Sequence, residues 1–295
     1  MSDPSQTAEI ANAAMRRYWN EVAGPRWVER AETQEARNIE VAQILLREAR
    51  AAAGERVLDV GCGPGATALP LAAAVGPGGH VTGVDIAEPM LGLLRRRVAE
   101  QRIANLTPLL ADAQTHAFAP ASVDLLTSRF GVMFFADHLA AFRNLGGALR
   151  PGGRLCMAVW AGIADNVHWR IPFEIAVRHV GPPKPQPPHA PGPMALSDPD
   201  YVRGILSGAG FTGIAIEPAR FHVIGKSAAS EAELAGLLGP SGRLLEEKEA
   251  DDPTRRAVVA ETEAAFAAYA GGAGNIGGEI RLPGTFFLLR AQRPA

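Results

Sequence analysis

The chain has 295 residues, of which 47% are hydrophobic and 20% are charged, a balance that supplies a large core and excludes a disordered chain. Its formal net charge of −2 gives no basic excess of the kind that neutralises nucleic-acid phosphates. The two cysteines, Cys62 and Cys156, are too few for a disulfide framework or a cysteine metal site.

The first 54 residues are predicted to form a helical cap (residues 1–54), because apolar residues recur in them at helical spacing. Gly24 and Pro25 are expected to break this region into two parts. The sequence starts without the basic residues and apolar run of a signal peptide, and no apolar stretch is long enough to span a bilayer. We therefore expect a cytoplasmic protein without a membrane span.

Short apolar strands then alternate with helices, which predicts a mostly parallel sheet with helices on both faces. The five strands are predicted at residues 56–60, 80–85, 106–111, 123–127 and 154–160, separated by helices at 67–75, 88–103 and 137–149. Proline within a sheet belongs on an edge strand, so Pro108 places the third strand at the edge. The sequence Arg-Pro-Gly-Gly at residues 150–153 predicts a turn before the fifth strand.

The pattern is less regular after residue 160. Further helices are predicted at 166–180 and 198–209, strands at 211–217 and 285–291, and a mostly helical stretch at 230–270. Seven prolines make residues 181–193 a stiff, extended loop, which is either a passive surface excursion or a wall over a substrate. We expect one domain from residue 55 to residue 295, with substrate-side insertions at about 161–210 and 225–283.

The most informative segment is VLDVGCGPG at residues 57–65, which predicts a glycine turn between the first strand and its helix. Gly61, Gly63 and Gly65 have the spacing Gly-x-Gly-x-Gly, whereas a dinucleotide site has Gly-x-Gly-x-x-Gly around a pyrophosphate. Asp59 precedes the turn, where it attracts an ammonium group directly or through water. The segment therefore favours a ligand with an amino-acid tail, such as S-adenosylmethionine (SAM).

An aspartate stands at the end of each of the first three strands. Asp85 ends the second strand, about 20 residues after the glycine turn, where an acid accepts hydrogen bonds from ribose hydroxyls. Asp112 follows the third strand, where an adenine amino group can be read. Because ligands of open α/β sheets bind at the carboxyl ends of the strands, Asp59, Asp85 and Asp112 are expected to form one nucleoside site.

With these motifs the chain resembles class I SAM-dependent methyltransferases, and within them the branch that includes the ubiquinone/menaquinone-biosynthesis methyltransferases. The matching stretches are VLDVGCGPG (57–65), VTGVDIAEPML (81–91), ADAQ (111–114), SRFGVMFF (128–135) and LRPGGRL (149–155). The resemblance implies a Rossmann-like α/β fold, a seven-stranded sheet in the order 3-2-1-4-5-7-6 with strand 7 antiparallel.

The resemblance also implies a set of cofactor-binding residues, which are Asp59, Gly61, Gly63, Gly65, Asp85, Ile86, Met90, Asp112, Ala113, Ser128 and Phe130. Asp59 and the three glycines would hold the methionine end and form the turn. Asp85 would hold the ribose, Ile86 and Met90 would flank the adenine, and Asp112 and Ala113 would read the adenine edge. Ser128 and Phe130 would lie beside the sulfonium and its methyl group. No metal is implied.

The insert at about residues 225–283 is a departure from the family pattern, because the quinone enzymes have a shorter connection between their last two strands. A quinone acceptor is therefore not supported by the resemblance.

The catalytic candidates are His138, His168 and Tyr18. A base is needed only if the acceptor carries a proton that must leave, and a lone histidine is more often structural. His138 follows the fourth strand as a candidate base, and His168 either borders the acceptor pocket or starts a surface helix. Tyr18 and Trp19 lie on the N-terminal helix, which in relatives closes over SAM; their rings either stabilise the sulfonium or only pack.

These features favour transfer of a methyl group from SAM to a small-molecule acceptor, with O, N, S and C acceptors all open. An NAD-dependent oxidoreductase is one alternative, against which the glycine spacing and Asp59 argue. Nucleic-acid adenine methylation typically uses an Asn/Asp-Pro-Pro-aromatic run where this chain has Ser-Arg-Phe-Gly at 128–131. A non-catalytic SAM-binding protein is the third alternative, and a homodimer is an assembly that the sequence leaves open.

Overall fold

A computed structural model describes residues 12–271 and 278–295 of the chain. Its strands form one seven-stranded sheet in the order β3-β2-β1-β4-β5-β7-β6. The strands are β1 (Arg56–Val60), β2 (His80–Asp85), β3 (Leu106–Leu110), β4 (Val123–Arg129), β5 (Leu149–Trp160), β6 (Thr212–Gly225) and β7 (Ile280–Gln292). Strands β1 to β5 are parallel, and β7 is antiparallel to both β5 and β6. The predicted fold and strand order are confirmed, with Pro108 on the edge strand β3.

Helices pack against this sheet and against one another. They are α1 (Gly24–Glu29), α2 (Ala31–Arg37), α3 (Ile39–Ala49), α4 (Ala68–Val75), α5 (Glu88–Glu100), α6 (His138–Ala148), α7 (Val167–Val180), α8 (Pro199–Gly208), α9 (Ala228–Leu237), α10 (Gly239–Glu247) and α11 (Asp252–Phe266). None of the helices in the described ranges combines the length and the apolar character that crossing a membrane requires.

The central strands are buried on both faces, as expected of parallel strands covered by helices. Val57 and Leu58 of β1 are each 1% exposed, and Leu125 and Leu126 of β4 are fully buried. Because consecutive side chains of a strand point to opposite faces, burial of both neighbours shows that each face is covered. This core fixes the carboxyl ends of β1 to β4 beside one another.

The N-terminal helical region is continuous across Gly24 and Pro25, so the predicted break at this point is wrong. Residues 12–17 are helical, Tyr18–Ala23 form a π-helix, and α1 follows directly. The wider π turn lets the Gly24 N–H donate to the Trp19 carbonyl, and Pro25, which has no N–H, occupies the first turn of α1.

Strand β5 begins at Leu149, so the turn predicted at residues 150–153 lies within an irregular part of the strand. Leu149 pairs with Val123, whereas Arg154 already pairs with Leu125. The extra residues bulge out of the ladder, and Gly152 takes a positive φ of 72° there.

The antiparallel pair β6–β7 is longer than the sequence predicted, running from Thr212 opposite Gln292 to Gly225 opposite Ile280. Strand β5 pairs with β7 only as far as Phe286. The far part of the pair therefore continues past the end of β5, and helices α9, α10 and α11 lie between β6 and β7 in the chain, at residues 228–266.

Candidate functional site

The glycine turn after β1 is held by contacts that exclude larger side chains. Gly61, Gly63 and Gly65 all have positive φ, at 65°, 53° and 97°. A Cβ on Gly61 would lie 2.6 Å from the Gly131 Cα, and a Cβ on Gly65 would lie 2.5 Å from Leu94 Cδ1. The turn therefore needs glycine both for its backbone conformation and for its packing.

The N–H groups of this turn are used within the protein. Gly61 and Cys62 donate to the Val84 carbonyl, and Gly65 donates to the Cys62 carbonyl. The Gly63 N–H donates to Asp85 Oδ2 at 2.8 Å. A phosphate-binding turn instead points its N–H groups at the ligand, so this turn lacks the donors that a pyrophosphate would require.

Asp59 lies beneath the turn and is fully buried. Its Oδ2 accepts a hydrogen bond from Thr67 Oγ1 at 2.6 Å, and its Oδ1 accepts one from Thr127 Oγ1 at 3.0 Å. Burial raises the pKa of Asp59 to about 6, although the two threonine hydroxyls lower it. Because its carboxylate is fully buried beneath the turn, Asp59 reaches a ligand through its electrostatic field or through water.

Asp85 ends β2 and is partly exposed at the carboxyl edge of the sheet. Besides the Gly63 N–H, its carboxylate accepts the Ala87 N–H at 2.9 Å through Oδ1. Burial raises the pKa of Asp85, and its backbone hydrogen bonds oppose that rise. An ionised carboxylate offers about four acceptor positions, so each oxygen retains one for a hydroxyl of a ligand.

Asp112 lies just past β3, and both of its oxygens have partners. Oδ1 accepts the Gln114 N–H at 2.9 Å, and Oδ2 accepts the Asn12 side-chain amide at 2.6 Å. Asn12 also accepts the Ala136 N–H at 3.3 Å. Ala113, beside Asp112, is 7% exposed. The buried Gln114 Nε2 has no hydrogen-bond partner in the described part of the chain.

The N-terminal helical region covers the loop after β2. The Asn20 side chain donates to the Ile86 carbonyl at 2.9 Å and accepts the Glu88 N–H at 3.0 Å. Met90, on the first turns of α5, is buried with its sulfur 3.3 Å from where a Cβ of Gly63 would lie. Met90 thus borders the glycine turn, and Asn20 ties the cap to Ile86 and Glu88.

The loop after β4 is shaped by Ser128 and Phe130. The fully buried Ser128 Oγ accepts the Gly131 N–H at 3.1 Å. Phe130 has a positive φ of 66°, uncommon for a residue with a side chain, and its ring stacks on Trp160 at 3.8 Å between centroids. Ser128 therefore supports the loop, and the Phe130 ring faces the end of β5.

His168 lies in an aromatic cluster next to Phe130, and it is 4% exposed. Its ring centroid lies 5.4 Å from Trp160, 4.9 Å from Trp169 and 6.2 Å from Phe221. Burial lowers the pKa of His168 well below its usual value, so the imidazole is neutral. Nδ1 has no hydrogen-bond partner in the residues described.

His138 begins α6 and is equally buried, at 3% exposure. Its Nδ1 lies 3.4 Å from the Tyr201 hydroxyl, and the Tyr201 ring stacks on His189 of the proline-rich loop. Burial also lowers the pKa of His138. His138 is therefore joined to α8 and the proline-rich loop, whereas His168 is joined to the Phe130 ring through Trp160.

Tyr18 is 44% exposed, and its ring meets only the edge of Trp19 among the aromatic contacts of the described region. Trp19 instead contacts Phe134 edge-to-face at 5.1 Å. Of the two aromatic residues predicted on this helix, Trp19 is the one that faces the loop after β4.

The two predicted insertions both reach this end of the sheet. In the proline-rich loop, the Gly192 N–H donates to the Met133 carbonyl at 3.1 Å. At the start of α10, a Cβ on Gly239 would lie 3.1 Å from Trp169 Nε1. The described part of the chain brings no three His, Cys, Asp or Glu side chains together in a way that could hold a metal ion.

Sequence reasoning missed Asn12, Asn20 and Arg129. Asn12 and Asn20 contact residues 100 and 66 positions away, so no local pattern distinguishes them from solvated helix residues. Arg129 lies inside a motif quoted from the sequence, but its surroundings depend on the pairing of β4 with β1.

Residues 57–153 match a family model described as a methyltransferase domain. The aklanonic acid methyltransferase DauC of Streptomyces sp. (strain C5) is 39% identical over 102 residues, which are 35% of this chain and 46% of that protein. Demethylmenaquinone methyltransferase of Listeria monocytogenes serotype 4a (strain HCC23) is 33% identical over 129 residues, which are 44% of this chain and 54% of that protein. The match therefore spans about half the length of these curated relatives, and the predicted resemblance is confirmed for this segment.

Solved structures share the fold over a longer part of the chain. The YcgJ protein of Bacillus subtilis aligns with a TM-score of 0.54 at 15% identity, covering 86% of this chain and 98% of that one. Phosphoethanolamine N-methyltransferase 2 of Haemonchus contortus, solved with phosphomonomethylethanolamine and S-adenosylhomocysteine, aligns with a TM-score of 0.53 at 20% identity, covering 87% of this chain and 53% of that one.

Proposed function

We propose that this chain, whose residues 57–153 form a methyltransferase domain, transfers a methyl group from SAM to a small-molecule acceptor. The observation that carries this proposal is the pair of carboxylates, Asp85 and Asp112, at the ends of adjacent strands beside a glycine turn whose N–H groups are already occupied. Such an edge suits a nucleoside without phosphate. The curated relatives are named for small-molecule methylation, which supports the same reaction class.

The residues present fit this cofactor. Asp85 would hold the ribose, since each of its oxygens has a free acceptor position, and Ile86 and Met90 would flank the adenine. Asp112 and Ala113 would read the adenine edge, where the unpartnered Gln114 Nε2 offers a further donor. Asp59 and the three glycines would border the methionine end, with Ser128 and Phe130 next to it.

Bound SAM supplies a methyl group on a sulfonium, already activated for transfer. The protein's own contribution is to hold an acceptor in line and to exclude water. The stacked rings of Phe130 and Trp160 form an apolar wall at this position. Helix α10 contacts Trp169, and the proline-rich loop contacts Met133. These contacts support the proposal that the insertions at 161–210 and 225–283 form the acceptor side of the site. The proposed domain runs from residue 55 to residue 295, and residues 1–54 form its cap.

His168 is the candidate that would accept a proton from an acidic acceptor. It is neutral, and its ring adjoins Trp160, which stacks on Phe130. Both histidines have one ring nitrogen without a partner in the described residues, but the other nitrogen of His138 faces Tyr201, away from the Phe130 ring. A base with a strongly lowered pKa accepts protons weakly, so His168 suits an acceptor that is itself acidic, such as a phenol. Tyr18 and Trp19 would close the cofactor side through the cap.

We also propose a cytoplasmic location and a small metabolite, rather than nucleic acid, as the acceptor. The net charge of −2 supports a small metabolite rather than nucleic acid as the acceptor. Whether two copies associate would be measured by light scattering, and cell fractionation would test the location.

Isothermal titration calorimetry with SAM, NAD and ATP tests the proposal directly. We expect binding of SAM and no binding of the two phosphorylated nucleotides. Binding of NAD without SAM would overturn the proposal in favour of an oxidoreductase. SAM binding without turnover on a broad panel of phenols, amines and thiols would favour a non-catalytic SAM-binding protein.

A further inference from the structure

Arg129 is the last residue of β4 and lies on the same face of the sheet as Asp59. Thr127 pairs with Asp59 across the two strands and donates its hydroxyl to that carboxylate. Side chains two residues apart on a strand share a face, so Arg129 follows Thr127 on the Asp59 side. The positive charge of Arg129 accordingly lowers the pKa of Asp59, against the larger effect of burial.

The Arg129 guanidinium is largely enclosed but has little to bond with. Nη1 donates to the Asn38 carbonyl at 3.5 Å, which is a long contact for a group with five N–H donors. No carboxylate oxygen of the described residues lies within 4.0 Å of it, the limit that defines an ion pair. By contrast, Arg97 pairs with Glu35 at 2.6 Å, and Arg37 pairs with Glu231 at 2.8 Å.

The acids near Arg129 are already committed to other groups. Glu35 is bound to Arg97, and both oxygens of Asp59 are bound to threonine hydroxyls. Burial lowers the pKa of Arg129, although the charges of Glu35 and Asp59 oppose that fall from a distance, and burial without a close partner is unfavourable for any cation. The Arg129 guanidinium is therefore enclosed without a carboxylate of the described residues close enough to form an ion pair with it.

We propose that Arg129 binds the carboxylate of the amino-acid tail of SAM, and that Arg129 and Asp59 together recognise the zwitterionic end of the cofactor. This inference rests on the proposed function. The tail carries its ammonium and carboxylate on one carbon, so it requires an anion and a cation side by side. Asp59 and Arg129 supply that pair on one face of the sheet, and the guanidinium fork matches a carboxylate in geometry.

The test compares two nucleosides that differ in the tail. S-adenosylhomocysteine carries it, and 5′-methylthioadenosine keeps the adenosine and thioether without it. Calorimetry would measure both with the natural chain, Arg129→Met, Arg129→Lys, and the control Arg95→Met, which removes an exposed arginine paired with Glu88 on α5. We expect Arg129→Met to weaken S-adenosylhomocysteine binding by about 10- to 100-fold and to leave methylthioadenosine within about threefold.

Arg129→Lys should lie between the two, since it keeps the charge and loses the fork. Equal losses for both nucleosides would assign Arg129 a structural role and overturn the inference, as would an unchanged affinity for S-adenosylhomocysteine. If the natural chain binds both nucleosides equally well, the tail site is wrong while the proposed function stands. If it binds neither, the proposed function fails as well.

A second readout does not depend on any ligand. Removing an enclosed cation that has no ion-pair partner should raise the thermal midpoint of Arg129→Met by a few degrees, whereas Arg97→Met, which breaks the pair with Glu35, should lower it. A fall in both midpoints would contradict the unpaired state of Arg129. If Arg129→Met fails to fold, Arg129→Gln carries the same nucleoside comparison.

Discussion

The backbones of Gly61 and Gly131 are in direct contact, which locks the glycine turn after β1 to the loop after β4. A Cβ on Gly131 would lie 2.7 Å from the Gly61 Cα and 2.6 Å from the Val60 carbonyl oxygen. These distances are shorter than real Cβ contacts, so the backbone would have to move. The position of Phe130, one residue earlier, therefore depends on two residues that have no side chains.

Replacing Gly131 with alanine should destabilise the fold by about 1–3 kcal/mol, the usual cost of overpacking, and should weaken nucleoside binding at the same time. Urea unfolding measures the first effect and calorimetry the second. Gly92→Ala is the matched control, since Gly92 lies within α5 and a Cβ there meets nothing within 4 Å. That variant should gain about 0.5–1 kcal/mol from helix propensity. Equal stability of the two variants would contradict the contact.

Asp85→Ala should weaken S-adenosylhomocysteine binding by about 1.5–3 kcal/mol, the usual worth of hydrogen bonds to a charged group. Part of this loss would come from the turn, because Asp85 also holds the Gly63 and Ala87 N–H groups. Asp85→Asn keeps one of these acceptors and should lose less. An unchanged affinity in Asp85→Ala would show that the ribose lies elsewhere.

The buried Asp59 should make the protein less stable as the pH rises from about 4 to about 6. Its folded pKa of about 6 lies above the ordinary value of 3.8, so the folded state holds its proton over that range while the unfolded state has released it. Above pH 6 the full cost is present, on the order of 3 kcal/mol at most.

Asp59→Asn removes this titration while leaving groups that can bond to Thr67 and Thr127. Urea unfolding of both proteins at pH 4 and pH 7 isolates the Asp59 contribution. We expect the variant to gain stability relative to the natural chain at pH 7 and not at pH 4. The same difference at both pH values would rule out a raised pKa.

His168→Phe should leave the unfolding free energy within about 1 kcal/mol, since the ring sits among Trp160, Trp169 and Phe221 and its Nδ1 has no partner to lose. Methyl transfer to a phenolic acceptor should fall, while transfer to a thiolate acceptor should not, because a thiolate has no proton to release. Equal losses with both acceptors would assign His168 to pocket shape alone.

Asn20→Ala should loosen the N-terminal cap, because Asn20 makes two hydrogen bonds to the loop after β2. Hydrogen–deuterium exchange of residues 12–29 should become faster, and nucleoside affinity should fall by about 5- to 10-fold, the worth of one or two hydrogen bonds. Asn105→Ala, which breaks side-chain bonds to the Ala72 and Gly76 carbonyls, provides a comparison away from both the cap and the nucleoside site. Unchanged exchange in Asn20→Ala would show that the cap is held by its apolar contacts.

The strand order and the carboxyl edge could be predicted because they follow from local patterns. The strands of the first half alternate with helices, and Asp59, Asp85 and Asp112 mark where three of them end. Pro108 is compatible only with an edge strand, which the sheet confirms. The family motifs added the order of the remaining strands.

The rest depends on contacts between distant parts of the chain. Gly24 and Pro25 form a break in most helices, but a π turn accommodated them here. Exposure of Tyr18 and contact of Trp19 with Phe134 follow from how the cap sits on the sheet, which helical spacing alone does not give. The lack of an ion-pair partner for Arg129 could not be predicted, because it depends on Glu35 and Asp59 being bound to other groups in the folded chain.

The N–H groups of the glycine turn are hydrogen-bonded within the protein. This has a consequence inside a cell, where phosphorylated nucleotides compete for adenosine-binding sites. At this edge the phosphates of such a competitor would lie beside the Asp85 carboxylate and would find none of the N–H groups of Gly61, Cys62, Gly63 and Gly65 free to receive them. We therefore expect adenine nucleotides to compete poorly, because their phosphates would lack the N–H donors that a phosphate-binding turn provides.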